Sequence, residues 1–159
     1  MRKLLTKFLN MLTGICFMVM VVLTFGQVLM RYLFNNPLTW SEEFVSYLFA
    51  WSSLLGACLV TSERGHMNIP LLGHKLSARG QKILGIIGEG IGLVFSLTIL
   101  CYGGLQITFL AMGQQTSSLG VSVGAFYVLL PVAGVLNALY AALNIRDIWT
   151  GRMPAFPAD

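Results

Sequence analysis

The chain has 159 residues, of which 56% are hydrophobic and only 10% charged, and its formal net charge is +4. A soluble domain carries about 25% charged residues, so the composition indicates a single-domain membrane protein. The basic residues lie in short loops and tails rather than on one face, which excludes nucleic-acid binding as the reason for the positive charge.

The first predicted span covers about residues 8–34. Its uncharged run, 8–30, is longer than the apolar core of a signal peptide, and no A-x-A-like cleavage site follows it. We therefore expect a retained membrane helix. Arg31 lies near the far end of this helix, where its side chain can reach the headgroups by snorkelling.

The second span, about 40–62, lies in the stretch around which the chain is organised, residues 38–69. Its uncharged part, 44–62, would rise roughly 28 Å as a helix, close to the thickness of a bilayer core. Thr39 is a candidate N-cap with Glu42 at capping-box spacing. Glu42 and Glu43 both suit the positive end of the helix dipole.

Two faces of the second span differ in composition at helical spacing. One is aromatic, and the other is a stripe of small residues that would let helices pack closely in lipid. We expect the small stripe to be used up within the bundle and the aromatic face to be left over, so that this face or its neighbours would dock a larger membrane subunit. Glu42 heads the small stripe and is therefore expected to face protein. The aromatic face comprises Trp40, Phe44, Tyr47 and Trp51, and the small stripe Ser46, Ala50, Ser53 and Ala57.

Two further spans follow. In the connection 65–79, apolar residues recur at helical spacing among polar ones, which allows a short interfacial helix between spans 2 and 3. The third span covers about 82–112, and the fourth covers about 123–145, where Pro131 is expected to kink the helix. The polar, uncharged segment 113–120 between them is expected to be a loop.

Glu89 is the carboxylate inside the third span, and such a group is a functional candidate because it is costly in the membrane. Gly85, Gly92 and Ser96 share its face, so that face should contact another helix. A structural hydrogen bond or pairing with Lys82 is favoured over a role in ion coupling.

Other charged and aromatic residues leave two interpretations open. Glu42 and Glu43 either cap the helix and compensate its dipole, or contact Arg31 or a partner subunit. Trp40 is either an anchor at the membrane interface or part of a partner contact. His66 fits an interfacial loop better than a metal site, because no second ligand stands at metal spacing.

We find no arrangement of residues that indicates an enzyme or a cofactor. Both histidines lie in the connection between spans 2 and 3, whereas membrane haem proteins usually have axial histidines inside their spans. No Gly-rich loop is followed by Lys-Ser or Lys-Thr, so nothing indicates ATP hydrolysis. The cysteines are expected to be small apolar core residues; they are Cys16, Cys58 and Cys101.

The positions of the basic residues predict the orientation. With four spans, all of the ten Lys and Arg residues except Arg31 fall on one side of the membrane. The positive-inside rule then places both termini in the cytoplasm. Glu42 and Glu43 would lie at the outer face.

Three sequence segments together resemble a known family. They are W-S-E-E, the L-G-A inside the second span, and E-R-G-H-M-N-I after it. In this order they are similar to the DctQ-type small membrane subunit of tripartite ATP-independent periplasmic (TRAP) transporters. The residues that carry the resemblance are Trp40, Glu42, Glu43, Gly56, Arg64, Gly65 and His66.

The resemblance implies a subunit of a sodium-driven importer of an organic acid in the bacterial inner membrane. In this family a periplasmic binding protein delivers the substrate, and a larger membrane subunit carries the substrate and sodium sites and moves. The small subunit is expected to widen the fixed scaffold and to help receive the binding protein. The sequence fits that passive role because it shows no sign of the broken helices that form midplane sites in transporters.

Two other classes of function stay open. One is a small homodimeric four-helix exporter in which Glu89 would couple transport to an ion. The other is a membrane assembly or scaffold protein with no role in transport.

Overall fold

The computed structural model describes residues 2–63 and 78–151. Within these ranges the chain is helical, and four helices are long and apolar enough to cross a membrane. The predicted all-α class with four spans is therefore confirmed. The predicted interfacial helix falls almost wholly on residues 64–77, outside the described part. The four spans are Arg2–Leu33, Thr39–Ser62, Arg79–Ala111 and Val123–Trp149.

Spans 1 and 4 extend beyond their predicted ends. Span 1 begins at Arg2 rather than near residue 8, and span 4 continues to Trp149 rather than ending near residue 145. Sequence reasoning placed the ends where the apolar run meets charge, but a helix continues past that point because its backbone hydrogen bonds do not depend on a lipid environment.

Span 3 changes its helix type part-way along. It is α-helical over Ala78–Phe95, π-helical over Ser96–Gly103 and α-helical again over Gly104–Ala111. π-Helical turns are rare and are often found at functional sites.

Span 4 is interrupted at Val128, which separates the helices Val123–Tyr127 and Leu129–Trp149. Pro131 lies just after the interruption and has no N–H to donate to the carbonyl one turn earlier. The sequence predicted a distortion at this proline, and the interruption lies three residues before it. Val128 itself keeps αR backbone angles, and the bonds from Val128 N to the carbonyl of Gly124 and from Val132 N to the carbonyl of Val128 continue across it. Span 4 therefore carries a local distortion near its proline and still forms one membrane-spanning helix.

Span 4 packs between spans 2 and 3, and span 1 packs along span 2. One apolar cluster, Leu9, Leu55, Cys58, Ala133 and Tyr140, joins spans 1, 2 and 4. A second cluster of Cys16, Met20 and Leu48 joins spans 1 and 2. Cys16 and Cys58 are thus buried apolar residues, as predicted, and all three cysteines are free.

Polar contacts tie the spans together at the end that carries both termini. Arg2 donates to Asp147 at 3.1 Å and to the backbone carbonyl of Ser62, so it links span 1 to spans 4 and 2. Lys82 donates to the backbone carbonyl of Trp149 at 2.9 Å and lies 5.6 Å from the centre of its ring. Lys82 therefore connects span 3 to span 4.

Spans 3 and 4 approach closely at Gly134, as they also do at Gly124. A Cβ atom placed there would lie 2.8 Å from Leu100 Cβ and from Cys101 Sγ and N. Gly92, on the face predicted to pack closely, has nothing within 4 Å of such an atom. The close contact therefore depends on Gly134, and Gly92 does not contribute to it.

Gly134→Ala is expected to destabilise the bundle by about 1–3 kcal/mol, the usual range for overpacking. Gly92→Ala is the matched control and should be neutral or slightly stabilising, because alanine is the better helix former by about 0.5–1 kcal/mol. Thermal unfolding in mild detergent would measure both. Equal loss of stability in the two variants would contradict this packing.

Candidate functional site

The N-terminal end of span 2 differs from the prediction. The helix starts at Thr39 with Leu38 as its N-cap, and no side chain caps it. Ser41 Oγ donates to the carbonyl of Leu38 at 2.7 Å. The predicted capping box of Thr39 and Glu42 is therefore wrong, because Thr39 already lies inside the helix.

Glu43 binds the loop between spans 3 and 4. Its carboxylate accepts three backbone N–H groups, from Ser117 at 3.1 Å, Ser118 at 2.8 Å and Leu119 at 3.3 Å. Successive N–H groups that point at one place make an anion-binding concavity. Glu43 thus fixes this loop to span 2, in place of the predicted contact with Arg31.

The loop that Glu43 holds is also closed by its own hydrogen bonds. Thr116 N donates to the carbonyl of Val121 at 2.9 Å, and Val121 N donates back to Thr116 Oγ1 at 3.0 Å. Gly120 has a φ of +66°, a conformation that suits glycine. The sequence predicted a loop here but gave no signal that it would bind a carboxylate on another span.

Two of the aromatic residues on span 2 contact the beginning of span 4. The rings of Tyr47 and Phe126 stack with their centroids 3.9 Å apart, and Trp51 Nε1 donates to the carbonyl of Phe126 at 2.9 Å. Phe126 belongs to the short helix that ends at Tyr127, where the last carbonyls lack regular helix partners. The expectation that the aromatic face is left over is therefore wrong for Tyr47 and Trp51, which contact span 4 of their own chain.

The other two aromatic residues of this face differ in burial, since one packs into the bundle and the other is exposed. Phe44 packs against the cluster formed by Cys16, Met20 and Leu48. Trp40 is 42% exposed at the N-terminal end of span 2. Of the predicted aromatic face, Trp40 alone stays substantially uncovered by residues 2–63 and 78–151.

The small-residue stripe on span 2 is exposed instead. Ser46, Ala50 and Ser53 are exposed and Ala57 is half-buried, so the prediction that the bundle uses up this stripe is wrong. Ser46 and Ser53 donate back to carbonyls of their own helix, at 2.9 and 2.8 Å. Their hydroxyl groups thus already donate hydrogen bonds within span 2, although the stripe itself is exposed.

A groove between spans 1 and 2, which we call the span 1–2 groove, lies beside the stripe. Its cavity volume is about 700 Å³. The described residues that line it come from both helices and are mostly apolar; they are Met20, Val21, Thr24, Phe25, Val28, Val45, Ser46 and Phe49.

Arg31 and Glu42 are both exposed at the end of the bundle opposite the termini. Within residues 2–63 and 78–151, the one ion pair is that of Arg2 with Asp147. The predicted contact of Arg31 with the acidic pair is thus not made. Glu42, expected to face protein, is not covered by the described part of its own chain.

Glu89 is 5% exposed and faces span 4. Asn144 Nδ2 donates to Glu89 Oε1 at 2.9 Å and to the carbonyl of Thr61 at 3.0 Å. This is the structural hydrogen bond that the sequence favoured, although its partner is Asn144 rather than Lys82. The role of Asn144 could have been predicted from the sequence, because a polar side chain inside a membrane span is a functional candidate.

Arg64 and His66, which carry part of the family resemblance, lie outside the described residues. In the described ranges, no group of three or more His, Cys, Asp or Glu side chains could hold a metal ion. The polar side chains that the structure does bring together join one span to another.

Comparison with known proteins gives the family. The family model described as "Tripartite ATP-independent periplasmic transporters, DctQ component" matches residues 20–151. The chain belongs to the DctQ family. It is therefore a TRAP-type small permease subunit and a multi-pass protein of the inner membrane.

Two relatives from Haemophilus influenzae are each called putative TRAP transporter small permease protein. One is 28% identical over 137 residues, which are 86% of this chain and 80% of that protein. The other is 32% identical over 117 residues, 74% of this chain and 72% of that protein. The DctQ resemblance thus extends well beyond the motifs around span 2.

A third relative is a much longer protein. The sialic acid TRAP transporter permease protein SiaT of H. influenzae is 29% identical over 80 residues, which are 50% of this DctQ chain but 13% of SiaT. A segment similar to this chain thus occurs within a much longer permease polypeptide. Together with the names of the small permeases, this implies association with a large membrane subunit.

Glu43→Gln is expected to loosen the loop that the carboxylate holds, because the neutral amide accepts hydrogen bonds more weakly. A loss of about 1.4 kcal/mol, at the low end for hydrogen bonds to charged groups, corresponds to roughly tenfold faster amide exchange at 117–119. Hydrogen–deuterium exchange would measure this.

Glu42→Gln is the matched control, since it removes the same charge from the neighbouring exposed position. It should leave exchange at 117–119 unchanged. Equal acceleration in both variants would mean that net charge, rather than the Glu43 contact, holds the loop.

Proposed function

We propose that this chain works in a sodium-driven TRAP transporter that imports an organic acid delivered by a periplasmic binding protein. Its place in the DctQ family carries this proposal, and the name of SiaT, a sialic acid permease, supports an acid as the substrate class. The substrate and sodium sites would lie on the large subunit, so this chain would need no cofactor.

The proposed orientation places both termini in the cytoplasm and the loop held by Glu43 in the periplasm. The distribution of Lys and Arg supports it through the positive-inside rule. The loop held by Glu43 would then lie on the side from which the binding protein arrives.

Within the complex, the proposed role of this chain is a fixed scaffold. A carrier needs polar groups that converge on a substrate and an element that moves around them. Here the interrupted helix of span 4 is fastened by Trp51, and Glu89 is engaged by Asn144. These contacts join helices of the same chain, which supports a static role.

The proposed docking face for the large subunit is the exposed small stripe of span 2 with the span 1–2 groove. Small residues let another helix approach closely, and van der Waals packing is a main source of helix association in lipid. Exposed Glu42 lies one turn from Ser46 and offers a polar contact at the same face. The segment of SiaT that resembles this chain supports the large subunit as the occupant.

Reconstitution into liposomes with a sodium gradient tests the proposed function. The purified chain with the binding protein should give no uptake above empty liposomes, and adding the large subunit should give sodium-dependent uptake. Glu89→Gln in the complex should keep both uptake and its sodium dependence, because the amide oxygen still accepts from Asn144.

Uptake by this chain alone would contradict the scaffold role. Loss of sodium dependence in Glu89→Gln, with the complex intact, would favour a coupled carrier in which Glu89 binds the ion. Sodium-dependent uptake by the large subunit and the binding protein without this chain would show that the large subunit does not need it.

A further inference from the structure

A cavity of about 490 Å³ lies between spans 2, 3 and 4. Leu54, Ile91 and Phe95 form apolar parts of its wall, and Glu89 and Asn137 are among its polar lining residues. A hydrocarbon chain would pack well against the apolar part of this wall, but it would leave the polar part without hydrogen-bond partners. The polar part therefore decides what can occupy the cavity.

Asn137 lines this cavity with one side-chain atom that makes no hydrogen bond to the described residues. It is 7% exposed, and its Oδ1 atom is buried without a hydrogen-bond partner. An amide held in this state has a high free energy, since a buried polar group without a partner loses its hydration and gains nothing in return. Rotation about the broad χ2 torsion would turn either end of the amide toward the cavity.

We propose that this cavity is a water-binding site, in which water molecules bond the amide of Asn137 and connect it to the carboxylate of Glu89. Asn137 precedes Asn144 by two helical turns, roughly 10 Å along the axis, and Asn144 is bonded to Glu89. A chain of two or three waters spans that distance.

The size and polarity of the cavity fit this occupant. A water occupies about 30 Å³ in the liquid and needs two to four polar partners to stay in a protein interior. The cavity is far larger than that, and Glu89 and Asn137 both line it. A lipid chain in the same space would leave these two groups facing hydrocarbon. Water would instead keep the Glu89 carboxylate solvated inside the membrane.

Thiol labelling at two glycines of span 3 tests the proposal. Gly92 lines the cavity, while Gly90 lies on a different, mostly apolar surface of the same helix, and both have room for a side chain. Thiols react as thiolates, which form in water and not in hydrocarbon. In the full chain with its three cysteines replaced by alanine, a methanethiosulfonate reagent should label Gly92→Cys at least tenfold faster than Gly90→Cys.

Equally slow labelling at the two positions would overturn the proposal, because the cavity would then be dry. Adding Asn137→Leu to Gly92→Cys should slow labelling at least threefold with an unchanged helical circular dichroism spectrum. An unchanged rate would remove Asn137 from the water site. Protection of Gly92→Cys only when the large subunit is bound would assign the cavity to that partner and overturn the water site.

A second measurement keeps the native cysteines. The infrared carboxylate band of Glu89, identified by its loss in Glu89→Gln, should shift within minutes of transfer of the proteoliposomes into D₂O, because the water molecules that bond the carboxylate exchange. A band that stays unshifted for hours would also overturn the proposal. This readout does not depend on whether the cysteine-free chain folds.

Discussion

The interruption of span 4 at Val128 is the constraint on which the arrangement of the bundle depends. A bilayer core offers no hydrogen bonds to backbone groups that a distorted helix releases, so the protein must supply them. Trp51 donates to the carbonyl of Phe126 just before the interruption, and Tyr47 stacks on the ring of the same residue. Span 2 must therefore turn its aromatic residues toward span 4.

That rotation decides which surface is left for other proteins. Once Tyr47 and Trp51 face inward, the stripe of Ser46, Ala50 and Ser53 faces outward beside span 1. Glu43 fixes the same orientation at the N-terminal end of span 2 by holding the loop at 117–119. The contacts that close the bundle and the surface proposed for the large subunit are thus two consequences of one helix rotation.

The four spans and the buried face of Glu89 could be predicted because they depend on local hydropathy and helical spacing. The covered face of span 2 could not, since both of its faces suit helix packing and the choice depends on a carbonyl of Phe126, 75 residues away from Trp51. The same holds for Glu43, whose partners are backbone N–H groups that no side-chain pattern reveals. Pro131 was the one local signal that span 4 is distorted.

The most direct test of this account is photo-crosslinking from single positions in the assembled complex. A photoreactive residue in place of Ser53, on the exposed stripe, should crosslink to the large subunit. The same residue in place of Phe109, which is 73% exposed on span 3, should crosslink to lipid. Crosslinks to the large subunit from position 109 and none from position 53 would contradict the proposed rotation of span 2 and its docking face.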